Sequence, residues 1–169
     1  MKSKGHSLWL VPTGETLNKF SAIIRGLAKE YNAPVFQPHI TLLGDLLYPQ
    51  EECIKRTEQV VSGQKPFIIT LKEIDYQDFY FRTLFVKAEK TEPLQVLHNR
   101  AKELFNKQDI PEYMPHLSIL YGIFPQSVKE KIIKEIGKDQ LAQFELKSVH
   151  LVKGGEVEDW YIVGEFPLR

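Results

Sequence analysis

Cysteine is all but missing from this 169-residue chain, where Cys53 stands alone. A single thiol closes no internal disulfide and completes no zinc-ligand spacing, so neither device can organise the fold. Cys53 sits in a helical pattern and reads as a buried or half-buried small apolar residue. An excess of either charge is missing too. The 22 Lys and Arg are matched by 22 Asp and Glu, for a formal net charge of zero. Proteins that grip long stretches of nucleic-acid backbone usually carry a basic surplus, so any nucleic acid used here is short or touched at one end. No apolar run approaches the ~18 residues a membrane helix needs. The opening Met1-Lys2-Ser3-Lys4-Gly5-His6 has no apolar stretch of signal-peptide length. These lacks predict a cytoplasmic chain with no membrane partner. Low-complexity and linker-like segments are absent as well, which leaves one domain spanning residues 1–169.

What is present is an ordinary globular composition, 43% hydrophobic and 26% charged, enough for a sizeable core. His6 to Val11 reads as a strand ended by Pro12. Thr13 to Tyr31 then turns helical, with Leu17, Phe20, Ile24, Leu27 and Tyr31 on one stripe. Gln37 to Gly44 is a second strand. A helix follows from Pro49 to about Ser62, opened by proline and two glutamates that suit a first turn. Pro66–Tyr76 and Tyr80–Ala88 are aromatic and β-branched and read as strands. Glu92–Asn106 is a helix, Tyr113–Gly122 a strand and Gln126–Ile136 a helix. Two strands close the chain, Ala142–Val152 and Trp160–Phe166, with a turn at Gly154-Gly155.

The pattern repeats. A shift of 77 residues carries Pro38-His39 onto Pro115-His116, Thr41 onto Ser118 and Leu43 onto Leu120. The same shift lays Leu17, Phe20, Ile24 and Leu27 over Leu94, Leu97, Ala101 and Leu104, and Phe67 over Phe144. We read an internal repeat, approximately residues 6–76 and 80–152, closed by a strand at 158–167. Two such halves about a pseudo-twofold axis bring equivalent residues face to face. Strand alternation puts His39 with Thr41, and His116 with Ser118, on one face, while Ile40, Leu42, Leu117 and Ile119 point to the core.

Two imidazoles across a cleft suit displacement at phosphorus. A neutral histidine takes a proton from the attacking water and a protonated one hands a proton to the leaving alkoxide. Both forms are accessible near neutrality because the ordinary pKa is about 6.5. The Thr41 and Ser118 hydroxyls can hold the non-bridging phosphate oxygens. No carboxylate cluster flanks either motif, so the reading needs no metal and no cofactor. His6, His98 and His150 have no partner of this kind and read as surface or structural residues.

Pro38-His39-Ile40-Thr41-Leu42 and Pro115-His116-Leu117-Ser118-Ile119 resemble the paired His-x-Thr/Ser signature of the 2H phosphoesterase superfamily. The opening His6 to Pro12, Gly44 after the first motif, Leu120-Tyr121-Gly122 after the second and the ending Trp160 to Leu168 resemble its cyclic phosphodiesterase branch, known from plants and fungi. The resemblance implies a bilobal, LigT-like α+β fold: duplicated βαβαβ halves with antiparallel-rich sheets around a central cleft. It implies hydrolysis of nucleoside 2′,3′-cyclic phosphates or ADP-ribose 1″,2″-cyclic phosphate, and separately we expect a monomer. The resemblance also implies a phosphate-site role for Tyr121 and base-binding roles for Trp9 and Phe81. Strand parity alone would turn Tyr121 away from His116, so a twist or a strand end must bring it inward. The chain departs from the plant members in lacking paired cysteines, and from the RNA-ligase-like branch in having no arginine at 119–122. Competing readings are action on RNA ends, as a terminal 2′,3′-cyclic phosphodiesterase or a 2′-5′ ligase, and a nucleotide-binding module without chemistry.

Overall fold

The computed structural model describes residues 1–169. In chain order it runs β1 (His6–Leu10), α1 (Gly14–Tyr31), β2 (Ile40–Leu46), α2 (Gln50–Val61), β3 (Phe67–Tyr76), a 3-10 turn (Tyr80–Arg82), β4 (Leu84–Ala88) and α3 (Glu92–Leu104). It continues through β5 (His116–Leu120), α4 (Gln126–Ile136), β6 (Asp139–Leu146), β7 (Ser148–Lys153), a second 3-10 turn (Val157–Asp159) and β8 (Tyr161–Pro167). The helices follow the apolar stripes. Phe20, Ile24 and Leu27 are buried on α1, and Leu94, Leu97 and Ala101 on α3. Asn32 ends α1 in the left-handed conformation, its N–H reaching back to the Ala28 carbonyl.

The eight strands form one antiparallel sheet in the order β6-β3-β4-β5-β2-β1-β7-β8. The run expected as a single strand, Ala142–Val152, is broken at Lys147. Its first part starts earlier, at Asp139, and pairs with β3, while its second part pairs with β1. This break determines the shape of the sheet. In a flat sheet β6 and β7 would stand six strand spacings apart, roughly 29 Å. One connecting residue spans about 3.5 Å, so the sheet curls until the end of β6 lies beside the start of β7. At the break, the Leu168 N–H donates to the Lys147 carbonyl and carries the β7–β8 ladder one step further. The result is an α+β half-barrel with four helices.

The two sequence halves interleave. β3, from the first half, pairs with β4, and β7, from the second, pairs with β1. α1 packs on β5 and β6, and α3 packs on β2 and α2. Between the halves runs a narrow seam where β2 meets β5 at the Ile40–Leu117 pair. Ile40, Leu42, Leu117 and Ile119 are buried under the helices within one large core. Each fully buried side chain of this size stabilises the fold by about 1.5–3 kcal/mol.

Three expected strands start late. β2 begins at Ile40 and β5 at His116, because Pro38 and Pro115 have no N–H to give a ladder. Tyr80–Arg82 turns as a 3-10 helix before β4 begins. The buried Thr83 hydroxyl, shared among the Phe79, Tyr80 and Gly122 carbonyls, holds that turn. No helix is long and apolar enough to cross a membrane.

Candidate active site

His39 and His116 arrive at the seam by the same local device. Each follows a proline at the mouth of a strand, and each ring turns its Nδ1 to the carbonyl two residues back. These contacts are 2.7 Å to Gln37 and 2.8 Å to Met114. A carbonyl only accepts, so Nδ1 carries the proton in both rings. Nε2 of each imidazole is therefore left for the cleft, a lone pair when neutral and a donor when charged.

Both rings are held neutral. Burial lowers the His39 pKa to about 4, with the Gln37 carbonyl bond opposing the shift and the nearby His116 adding to it. Burial also lowers His116, with the Arg82 guanidinium acting in the same direction. Aromatic neighbours account for much of the burial. His39 lies flat on Trp9, and His116 sits 5.0 Å from the fully buried Phe85. The sheet sets these contacts, since Trp9 pairs with Thr41 across β1 and β2, and Phe85 pairs with Ser118 across β4 and β5.

All seven residues singled out in the sequence line one cleft of about 500 Å³: His39, Thr41, His116, Ser118, Tyr121, Trp9 and Phe81. That volume suits a nucleotide-sized ligand. Thr41 presents a hydroxyl with no protein partner. Ser118 does not, because its hydroxyl donates to the Phe81 carbonyl at 2.8 Å and so ties β5 to the turn that carries Phe81. Tyr121 lies just past the end of β5, where strand parity no longer applies, and stacks on Phe36 at 3.8 Å. Burial pushes its phenol far above the usual range, so it stays protonated and able to donate. Trp9 is only 5% exposed because His39 covers one of its faces. The more open aromatic surface belongs to Phe81 and to Phe79, which is 45% exposed.

Trp160 and Arg82 also line the cleft and were not anticipated as site residues. Trp160 meets Trp9 edge-on at 5.5 Å and Phe81 at 6.0 Å, and its indole N–H donates to the Gly155 carbonyl. Its position after the Gly154-Gly155 turn was the available signal. Arg82 was hidden inside a segment that reads as a strand. The other three histidines are structural. His98 is buried, bonded to the Leu42 carbonyl at 2.8 Å and stacked on Tyr113. His6 contacts Gln50, and His150 lies near Glu165. No three His, Cys, Asp or Glu side chains converge as metal ligands would.

Comparison with known proteins agrees with this geometry. Cyclic phosphodiesterase of Arabidopsis thaliana is 27% identical over 130 residues, which cover 77% of this chain and 72% of that protein. The 2′,3′-cyclic-nucleotide 3′-phosphodiesterase of Phaeosphaeria nodorum is 28% identical over 152 residues, covering 79% and 77%. Among solved structures, E. coli LigT complexed with 3′-AMP superposes with a TM-score of 0.63 at 12% identity, covering 98% of each chain, so the LigT fold is shared. The family model of the 2′-5′ RNA ligase superfamily matches residues 11–158, and the chain belongs to that superfamily, which is that of the 2H phosphoesterases.

Proposed function

We propose that this protein hydrolyses cyclic phosphodiesters of small nucleotides, with His39 and His116 as its acid–base pair and no metal ion. The observation that carries the reading is the matched pair of Nδ1–carbonyl bonds, which leaves two Nε2 atoms for one cleft. Two relatives with phosphodiesterase names support the reaction class.

Water enters in line with the ester bond to be broken. One neutral imidazole takes its proton at Nε2 as the new P–O bond forms. The ring P–O bond breaks, and the other imidazole, protonated, gives its Nε2 proton to the departing alkoxide. The product is an open phosphomonoester beside a free hydroxyl, and the two histidines have exchanged protonation states. Both rings are neutral in the empty cleft, so the acid must gain a proton as substrate binds. The negative phosphate favours this by stabilising an adjacent imidazolium. The free hydroxyls of Thr41 and Tyr121 donate to the non-bridging oxygens, and Ser118 joins them once it turns from the Phe81 carbonyl. Phe81 and the neighbouring aromatic rings take the base.

Nucleoside 2′,3′-cyclic phosphates and ADP-ribose 1″,2″-cyclic phosphate are the substrates we propose. RNA ends are a second class, favoured by Lys4, which is exposed at the cleft rim. One chain builds the whole cleft, as a monomer requires. We place that monomer in the cytoplasm and attribute its interleaved halves to duplication.

Turnover of both small cyclic phosphates in EDTA is the test. His39→Ala and His116→Ala should each lose about 10²–10⁴-fold. Undiminished turnover in either variant would sink the mechanism. Hydrolysis confined to oligonucleotides would assign the site to RNA ends, and tight nucleotide binding without turnover would make it a binding module.

A further inference from the structure

The cleft is richer in positive charge than the chain around it. The protein has no formal net charge, yet the cleft is lined by the Met1 ammonium, Lys2, Lys4 and Arg82 against a single carboxylate, Asp45. The Met1 ammonium and Lys2 are both engaged with Glu156. Arg82 is engaged with no carboxylate. Its guanidinium lies over the Phe79 ring, 4.7 Å from the centroid. Its Nε is buried and has no hydrogen-bond partner. A buried donor on a charged group costs free energy unless something accepts from it, and the protein supplies nothing that does.

The two hydroxyls of the paired motifs are also unequal. Thr41 is free to donate. The Ser118 proton goes to the Phe81 carbonyl, so on the His116 side that hydroxyl donates to a phosphate only by giving up this bond. The residue after Phe81 is Arg82, on the same 3-10 turn. A shift of 77 carries Arg82 onto Gly5, so the other half has no counterpart. The deficit and the unpaired cation thus fall on the same side of the cleft. The field of Arg82 also reaches His116, where it favours the neutral ring.

Resting on the function proposed above, we infer that Arg82 is a substrate-binding residue that donates to the non-bridging phosphate oxygens on the His116 side and sets a preference for anionic over neutral nucleoside ligands. A guanidinium suits this place, since its planar fork matches two phosphate oxygens and its charge does not titrate. The Phe79 ring supports the flat group from one side.

The test is equilibrium binding of adenosine 2′-monophosphate, inorganic phosphate and adenosine by calorimetry. Arg82→Gln should weaken the nucleotide and phosphate about tenfold to a hundredfold and leave adenosine within about twofold. Arg82→Lys, which keeps the charge and loses the fork, should recover part of that loss. Nucleotide binding by Arg82→Gln within about twofold of wild type overturns the inference. A measurement on the wild-type protein does not depend on the Gln variant folding. The Arg82 Nε–H resonance, assigned by its loss in Arg82→Lys, should move when phosphate is added, and a resonance that stays put overturns the inference as well. These readouts need no turnover. A wild type that binds nucleotide through Arg82 but opens no cyclic phosphodiester sinks the proposed function alone. A wild type that turns over while Arg82→Gln binds normally sinks this inference alone.

Discussion

The imidazole of His39 lies flat against the indole of Trp9, with ring centroids 3.6 Å apart and planes 8° from parallel. The contact does two things. It fixes the ring orientation that the Gln37 carbonyl bond begins, and it removes water from one face of the ring. Trp9→Ala should therefore raise the His39 pKa from about 4 toward the ordinary ~6.5, because desolvation is the main cause of the lowering. Histidine NMR titration of the variant reads this directly. A titration unchanged from wild type would mean that the rest of the wall, not Trp9, keeps the ring dry.

The lowered pKa has a consequence for stability. Unfolded His39 takes a proton near pH 6.5, while the folded ring resists until about 4. Between those values the unfolded state binds more protons, so stability falls as pH drops through that window. The contribution of His39 is on the order of 3 kcal/mol, mostly lost by about pH 4 and gone below it. His98, His116 and His150 are also lowered by burial and act with the same sign. Denaturant melts of wild type and His39→Asn at pH 7 and pH 4.5 check the prediction. The variant should lose less stability on acidification than wild type does. Equal acid losses would place the sensitivity in the other three rings.

The two motif hydroxyls should respond differently to removal. Thr41 donates to nothing in the protein, whereas Ser118 holds the Phe81 carbonyl. Thr41→Ala should lower kcat with little change in Tm. Ser118→Ala should lower kcat and also cost about 1 kcal/mol of stability, the ordinary worth of such a bond. Thermal melts beside steady-state kinetics separate the two. Equal Tm values in both variants would show that the Ser118–Phe81 bond does not contribute to stability.

Much of the site was legible because its signal is local. The offset of 77 joins His39 to His116 and Thr41 to Ser118, and strand alternation fixes which face each takes. What stayed hidden comes from pairing distant in sequence. The break at Lys147 has only a faint mark in the sequence: the apolar positions Ala142, Phe144 and Leu146 give way to Val149 and Leu151, a one-residue slip in the alternation that is easily read through as one strand. The break becomes necessary only when β6 and β7 find different partners. Trp160 reaches the cleft because β7 pairs with β1 and brings the following turn with it. Arg82 escaped notice because aromatic and β-branched neighbours give the Tyr80–Ala88 segment a strand's composition, while the Thr83 hydroxyl bonds that coil its start involve Gly122, 39 residues away.

Tyr121 and Tyr113 provide a matched pair for a last prediction. Both are pushed far above the usual phenol range by burial, so both stay protonated at any working pH. Their hydroxyls differ in what they meet. Tyr113 donates to the Thr41 carbonyl at 3.1 Å and stacks on His98, behind the first motif. The Tyr121 hydroxyl has no protein partner and belongs to a residue that lines the cleft. Tyr113→Phe should lower stability by about 1 kcal/mol. Tyr121→Phe should leave Tm near wild type while lowering kcat about tenfold, the worth of one donor to a charged oxygen. Wild-type kcat in Tyr121→Phe would remove the phenol from the reaction and leave Tyr121 as packing for Phe36 and Phe81.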